Sequence, residues 1–155
     1  RSKADAFLDL LSGDIREPVW MPVLSGSMAP LLVPGDDILV SPCRGDSIAP
    51  GQIIVFRQGM TLTVHRALCN RRRRGKRLVY QKGDAMECGS FIDSGSVVGC
   101  CEARNRGGVK SSIVEIDPNR NKAAAIRIGV VYWTTKELFR WLKLKVRIFL
   151  SRPGR

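Results

Sequence analysis

A chain of 155 residues with 44% apolar side chains has the size of one domain and enough apolar content to bury a core, which excludes a disordered or low-complexity polymer. Its formal charge of +12 is unevenly spread: residues 1–119 carry 16 basic and 13 acidic groups, or +3, and residues 120–155 carry 10 and 1, or +9. That points to an anionic surface beside the domain more than to a basic groove within it. No stretch reaches the roughly 20 apolar residues of a bilayer span, and no signal peptide opens the chain. The five cysteines Cys43, Cys69, Cys88, Cys100 and Cys101 are odd in number and lack framework spacing, which argues against a fully disulfide-bonded secreted domain.

In chain order, the spacing of Ala4, Phe7, Leu8 and Leu11 predicts a short helix, capped by Ser2, ended by Gly13 and packed on the domain edge. Within it Ala4-Asp5-Ala6 has a small-x-small form, but three common residues in a helix carry little information about self-processing. The stretch from Leu24 to Val40 follows. Ser25 and Ser27 flank Gly26, where the backbone can turn tightly, and Met28 and Pro30 stiffen the exit. Pro34-Gly35 is a turn signal, and Asp37 to Val40 reads as a strand.

Further short β runs are expected over Gln52 to Phe56, Thr61 to Leu68, Leu78 to Lys82 and Val97 to Cys101, separated by turns at Gly45, Pro50-Gly51, Gly59, Gly75 and Gly95. The result is a mostly antiparallel β domain over residues 1–119. Phe56 to Met60 reads as a hairpin connection that brings Ile54 and Phe56 beside the strand carrying His65. Lys110 to Ile116 is expected to add one more strand before Asp117-Pro118-Asn119 closes the sheet region. Asp36 and Asp46 read as turn residues. The run Arg71-Arg72-Arg73-Arg74-Gly75-Lys76-Arg77 reads as a solvated hairpin tip; with no aromatic interleaved, stacking on bases is not encoded and nucleic acid is not the expected partner.

Residues 120–155 read as a basic helical extension of the same domain. Thr134 with Glu137 makes a capping box, Leu138, Trp141, Leu142, Val146 and Phe149 recur on one helical face, and Lys136, Arg140, Lys143 and Arg147 share the other. Such a helix can lie in the interface of an anionic bilayer through residues 134–150, or pack on the sheet with its basic side solvated.

The ordered boxes Ser25-Gly26-Ser27-Met28-x-Pro30-x-Leu32-x-x-Gly35-Asp36, Gly51-Gln52-Ile53-Ile54-Val55-Phe56, Val64-His65-Arg66, Lys82-Gly83-Asp84 and Val98-Gly99 resemble the signal peptidase I family over about half the chain. The resemblance implies the antiparallel β fold of signal peptidase and LexA-like proteins, and a serine endopeptidase that cleaves an extended peptide or preprotein after small residues. It also implies Ser27 as nucleophile. The base position is His65, as in the archaeal and endoplasmic-reticulum branch. By the same resemblance the Ser25 hydroxyl joins the Ser27 backbone N–H as oxyanion donor. The substrate is expected to add a strand near Pro22, Val23, Leu24 and Met28 and the hairpin strands. Members usually carry a transmembrane anchor beside the serine box; here it is lost, lies outside this sequence, or is replaced by another membrane-holding segment, so peripheral membrane association is the expectation.

A serine hydroxyl needs a base in hydrogen-bond reach, and His65 is the one histidine in the sequence. A carboxylate that orients the imidazole is the usual third member. Asp84 is the first candidate. The family's box continues through two asparagines to a second aspartate, whereas this chain reads Ala85-Met86-Glu87-Cys88, and Asp93 is therefore the alternative. Arg66, next to His65, faces the opposite side of a strand and reads as a structural or surface residue. His65 and Cys69 lie four apart and Cys100 and Cys101 are adjacent, but zinc sites pair ligands on both sides, so no metal or cofactor is expected and the thiols read as small buried apolar groups. Two other classes stand beside the peptidase. One is a non-catalytic binding module on the same fold that docks on a membrane or macromolecule. The other is a LexA-like self-cleaving regulator, disfavoured because such sites use lysine as base and no helix-turn-helix precedes this region.

Overall fold

A computed structural model describes residues 16–119 and, ahead of them, Leu8, Leu10 and Ser12. Eight strands, β1 (Val19–Pro22), β2 (Asp37–Pro42), β3 (Ile53–Gln58), β4 (Thr61–Arg73), β5 (Lys76–Lys82), β6 (Ser90–Asp93), β7 (Val97–Arg106) and β8 (Val109–Ser112), are followed by the one-turn helix α1 (Ile113–Ile116). They form a single antiparallel sheet in the order β1-β2-β7-β3-β4-β5-β6, with β8 paired to β7, and the sheet curls into a half-barrel.

The strand β3 explains the curl. Its run Ile53-Ile54-Val55-Phe56 is buried at every position, where a one-faced strand would alternate apolar with polar. Ile53 and Val55 join Met21, Met28, Leu32, Ile38, Val40 and Val98 in one core, while Ile54 and Phe56 turn to the other face and pack with Ile48, Ala67, Val79 and Val97. Both faces of the central strand are therefore covered. Leu10, helical and fully buried, plugs the first core, whereas Leu8, expected on the same apolar stripe, is 62% exposed.

Several expectations change in the fold. The strands β1 and β6 were not expected: each is four residues long and extends an edge offered by a longer neighbour, Val19 opposite Val40 and Leu78 opposite Asp93. Lys110 to Ile116 is not one strand, because Ser112 accepts a hydrogen bond from the Val114 N–H and starts α1 there. The basic run is the exposed hairpin tip expected, in which β4 and β5 continue to a two-residue turn at Arg74-Gly75. Asp46 lies in a turn, as expected, and also pairs with Arg77 at 3.4 Å. Of the cysteines only Cys101 is buried; Cys88 is exposed, and Cys43, Cys69 and Cys100 are half-buried. The expected helix of residues 134–150 and the extension from residue 120 lie outside the described residues. Among the described residues no helix is long and apolar enough to cross a membrane.

Candidate active site

The chain leaving β1 is tied into a closed loop before it re-enters the sheet as β2. Val23 N–H donates to the Asp36 carbonyl at 2.8 Å, and Gly35 N–H returns a bond to the Val23 carbonyl at 3.1 Å. Inside this loop Met28, Leu31 and Leu32 are buried plugs that sink into the first core. Asp36, 1% exposed, accepts from Val33 N–H at 2.9 Å and takes a two-pronged bond from Arg106 at 2.7 and 2.8 Å. The Arg106 bonds outweigh its burial and hold the Asp36 carboxyl below its ordinary range. Asp36 is thus more than a turn residue: it latches the loop to β7.

Ser27 sits at the exposed corner of that loop, where Ala29 N–H donates to the Gly26 carbonyl at 3.0 Å. Its own carbonyl accepts from Ala85 N–H at 2.9 Å. A Cβ at Gly83 would lie 2.5 Å from that same carbonyl oxygen, so this position has room for glycine alone. The sequence box around Gly83 therefore supports the serine through backbone contact.

His65 reaches the site from β4, opposite Ile54 of β3 and 5.9 Å, ring to ring, from Phe56. Its Nε2 lies 3.2 Å from Ser27 Oγ, and Ser25 Oγ lies 3.3 Å from Ser27 Oγ. The other ring nitrogen, Nδ1, is 2.5 Å from Gln81 Oε1. Gln81 donates through its Nε2 to Ser90 Oγ at 2.7 Å, which orients the amide so that Oε1 faces the imidazole. An amide oxygen can only accept, so Nδ1 carries the hydrogen and Nε2 turns its lone pair to the Ser27 hydroxyl. Burial lowers the His65 pKa below its ordinary 6.5, against smaller raising effects from Gln81 and the more distant Asp84 charge.

Neither aspartate expected behind His65 touches its ring among the described contacts. Asp84 accepts from Arg66 Nε at 2.8 Å and from Arg66 Nη2 at 2.6 Å, so both of its oxygens are engaged elsewhere. Asp93 accepts from Gly95 N–H at 2.8 Å and caps the turn after β6. The reason is strand alternation. Arg66 faces away from His65, and Asp84 follows Arg66; Gln81 pairs with Ala67, which shares the face of His65, and reaches the ring diagonally. Leu68 is the extra residue of a bulge that sets this register. The signal in the sequence is the alternation of β5 itself, which puts Gln81 on the face of His65; its amide oxygen can do the accepting expected of a carboxylate.

Arg66 is also no surface residue. It is 3% exposed and adds the Asp117 carboxylate at 2.6 Å and the Gly51 carbonyl at 3.0 Å to its Asp84 contacts. Burial works against its charge, yet the hydrogen bonds it donates to Asp84 and Asp117 prevail and raise its pKa further. Asp117, unnoticed in sequence beyond its turn role, lies 51 residues away and is brought in by α1.

Beside Ser27 runs a cleft of about 200 Å³, floored by Met21, Met28 and Leu32 and walled by Leu62, Thr63 and Val64 of β4. All four residues expected to meet substrate line it: Val23 and Met28 from the core side, Pro22 along β1, and Leu24 at the rim, 84% exposed. Among the described residues the two strands that bound the cleft have open edges: β1 ends the sheet, and β4 from Thr61 to His65 is paired only with β3. No group of three or more His, Cys, Asp or Glu side chains suited to a metal occurs among the described residues. Searched against protein-family models and against curated proteins, the chain has no match in either.

Proposed function

We propose that the chain is a serine peptidase of signal-peptidase-like type, with Ser27 as nucleophile and His65 as general base. The observation that carries this reading is the pair of contacts at His65: Nδ1 meets the Gln81 amide oxygen, which can only accept, and Nε2 lies 3.2 Å from Ser27 Oγ, free to act as acceptor. The resemblance of the ordered sequence boxes points the same way. In this scheme an extended peptide lies between β1 and the first half of β4, adding a strand to either edge, with small side chains directed into the cleft. Ser27 Oγ attacks the carbonyl as its proton passes to His65 Nε2, and the oxyanion meets the Ser27 N–H and the Ser25 hydroxyl. The imidazolium then gives its proton to the leaving amine, and water releases the acyl group. Gln81 aligns the ring and favours the imidazolium through its hydrogen bond at Nδ1, and the more distant Asp84 charge adds a smaller effect of the same sign.

A fluorophosphonate probe and cleavage of a peptide with small residues before the scissile bond test the proposal. Wild type is expected to be labelled at Ser27 and to cleave the peptide, and Ser27→Ala and His65→Ala to lose both. Peptide binding without labelling or cleavage by wild type would leave the binding-module reading; labelling that persists in Ser27→Ala would move the nucleophile elsewhere.

A further inference from the structure

The arm formed by the ends of β4 and β5 is built at a local disadvantage that, among the described residues, only the Arg77–Asp46 ion pair offsets. β6 accompanies β5 no farther than Leu78, so residues 71–77 project as a bare two-stranded ribbon. Its cross-strand pairs are Arg72 opposite Arg77 and Arg73 opposite Lys76, like charges in direct opposition, which destabilise a sheet. At the turn Arg74 holds a left-handed φ of 49°, a position that favours Asn, Asp or Gly. Every residue from Arg71 to Arg77 is exposed, and only Arg77 has an ion-pair partner, Asp46, among the described residues. The six cations of the arm exceed the whole surplus of residues 1–119, leaving ten basic and 13 acidic groups on the remainder, a net −3. Within residues 1–119 the arm is therefore a concentrated positive pole against a slightly acidic remainder.

We infer that this arm is an electrostatic docking site for the phosphate layer of an anionic bilayer. Five of its six cations are Arg, whose planar fork suits phosphate oxygens. Alternation puts Arg73 and Lys76 on one face and Arg72 and Arg77 on the other. A ribbon charged on both faces is matched when its end dips into a layer of anions. Its three cross-strand steps give a reach of about 10 Å, comparable with the roughly 5–8 Å of headgroup on one side of a bilayer. Two features favour lipid over nucleic acid. The arm has no aromatic to stack on a base, and Asn70 at its root is occupied by the Ile48 carbonyl. The sequence of residues 134–150 repeats Trp, Leu and Phe opposite Lys and Arg, the pattern of an interfacial helix. Stable peripheral binding takes two signals, and the arm would be one of them.

The arm lies six or more residues beyond His65, about 20 Å along β4, so the inference stands apart from the peptidase reading and is tested separately. The full chain is sedimented with vesicles of phosphatidylcholine alone and of phosphatidylcholine mixed with phosphatidylglycerol, at low and high salt. The quadruple variant Arg71→Gln, Arg72→Gln, Arg73→Gln, Arg74→Gln is compared with the matching Lys variant. Wild type and the Lys variant should bind the mixed vesicles at low salt only, and the Gln variant at least about tenfold less. Because the substitutions remove opposed like charges, the Gln variant should keep or raise the wild-type Tm, which a structural role for the arm would not allow. Equal binding by the Gln variant, or equal binding to neutral vesicles, overturns the inference. So does duplex DNA or single-stranded RNA that binds the arm more tightly than mixed vesicles at equal phosphate, which would make the partner a nucleic acid.

Discussion

Gln81 decides how His65 can work, because it fixes the tautomer with a neutral oxygen where a carboxylate is usual. Gln81→Leu would leave a buried Nδ1–H without its acceptor, a loss of about 1–3 kcal/mol, and would let the ring turn from Ser27. If the proposed chemistry holds, turnover should fall by about tenfold or more, since about 1.4 kcal/mol of lost alignment is already tenfold. Gln81→Glu tests the same contact by charge. A carboxylate at Nδ1 favours the imidazolium, so the acidic limb of kcat/KM, which burial places below the ordinary histidine value in wild type, should move to higher pH. An unmoved limb would show that His65 is not the group being titrated. At Gly83 the argument is steric. Gly83→Ala puts a methyl 2.5 Å from the Ser27 carbonyl oxygen, a backbone atom that cannot swing away. We expect a stability cost of about 1–3 kcal/mol together with loss of probe labelling at Ser27, read by thermal melting and mass spectrometry.

At the scale of elements, Arg66 ties β4 to the Asp84 turn after β5, to the Gly51 turn before β3, and to the Asp117 end of α1. It thereby holds in register the strand that presents His65 on its other face. Arg66→Leu would strand two carboxylates, one of them fully buried, at an expected cost of about 3–5 kcal/mol in chemical denaturation. Arg66→Lys should recover little, because one ammonium cannot replace a fork that binds both carboxylates. This element also shows what sequence could and could not reveal. The turn glycines and β-type runs bounded the long strands, and Ser27, His65 and Ser25 were legible because short ordered boxes carry them. Arg66 with Asp117 and His65 with Gln81 were not. The first pair spans 51 residues through an unexpected helix, and the second depends on a one-residue bulge at Leu68 that no local pattern marks. Strands β1 and β6 escaped for a related reason: their four residues are strands by virtue of the edge they join, which is a property of the neighbour.

At the scale of the whole molecule, two groups among the described residues titrate so that acid weakens the fold, and they do so in separate windows. Asp36 has its folded pKa lowered from 3.8, chiefly by Arg106. The unfolded chain therefore takes up that proton first, and the Asp36 contribution, complete above the unfolded value, is lost as pH falls through the lower folded one. His65 has its folded pKa lowered from 6.5 by burial. Its contribution has the same sign: it is complete above 6.5 and declines as pH falls from there toward the folded value, because the unfolded imidazole is protonated before the buried one. Denaturant midpoints measured from neutral pH downward should therefore show a first decline that begins near 6.5 and a second that begins near 3.8. His65→Gln should remove the first and keep the second. Asp36→Asn should remove the second, lower stability at neutral pH by about 1–3 kcal/mol, and release the serine loop from β7, with probe labelling of Ser27 falling in step. A profile that stays flat as pH falls below 6.5 in wild type would mean that His65 is as easily protonated folded as unfolded, and would remove the electrostatic basis for its proposed role as a neutral base in mildly acidic solution.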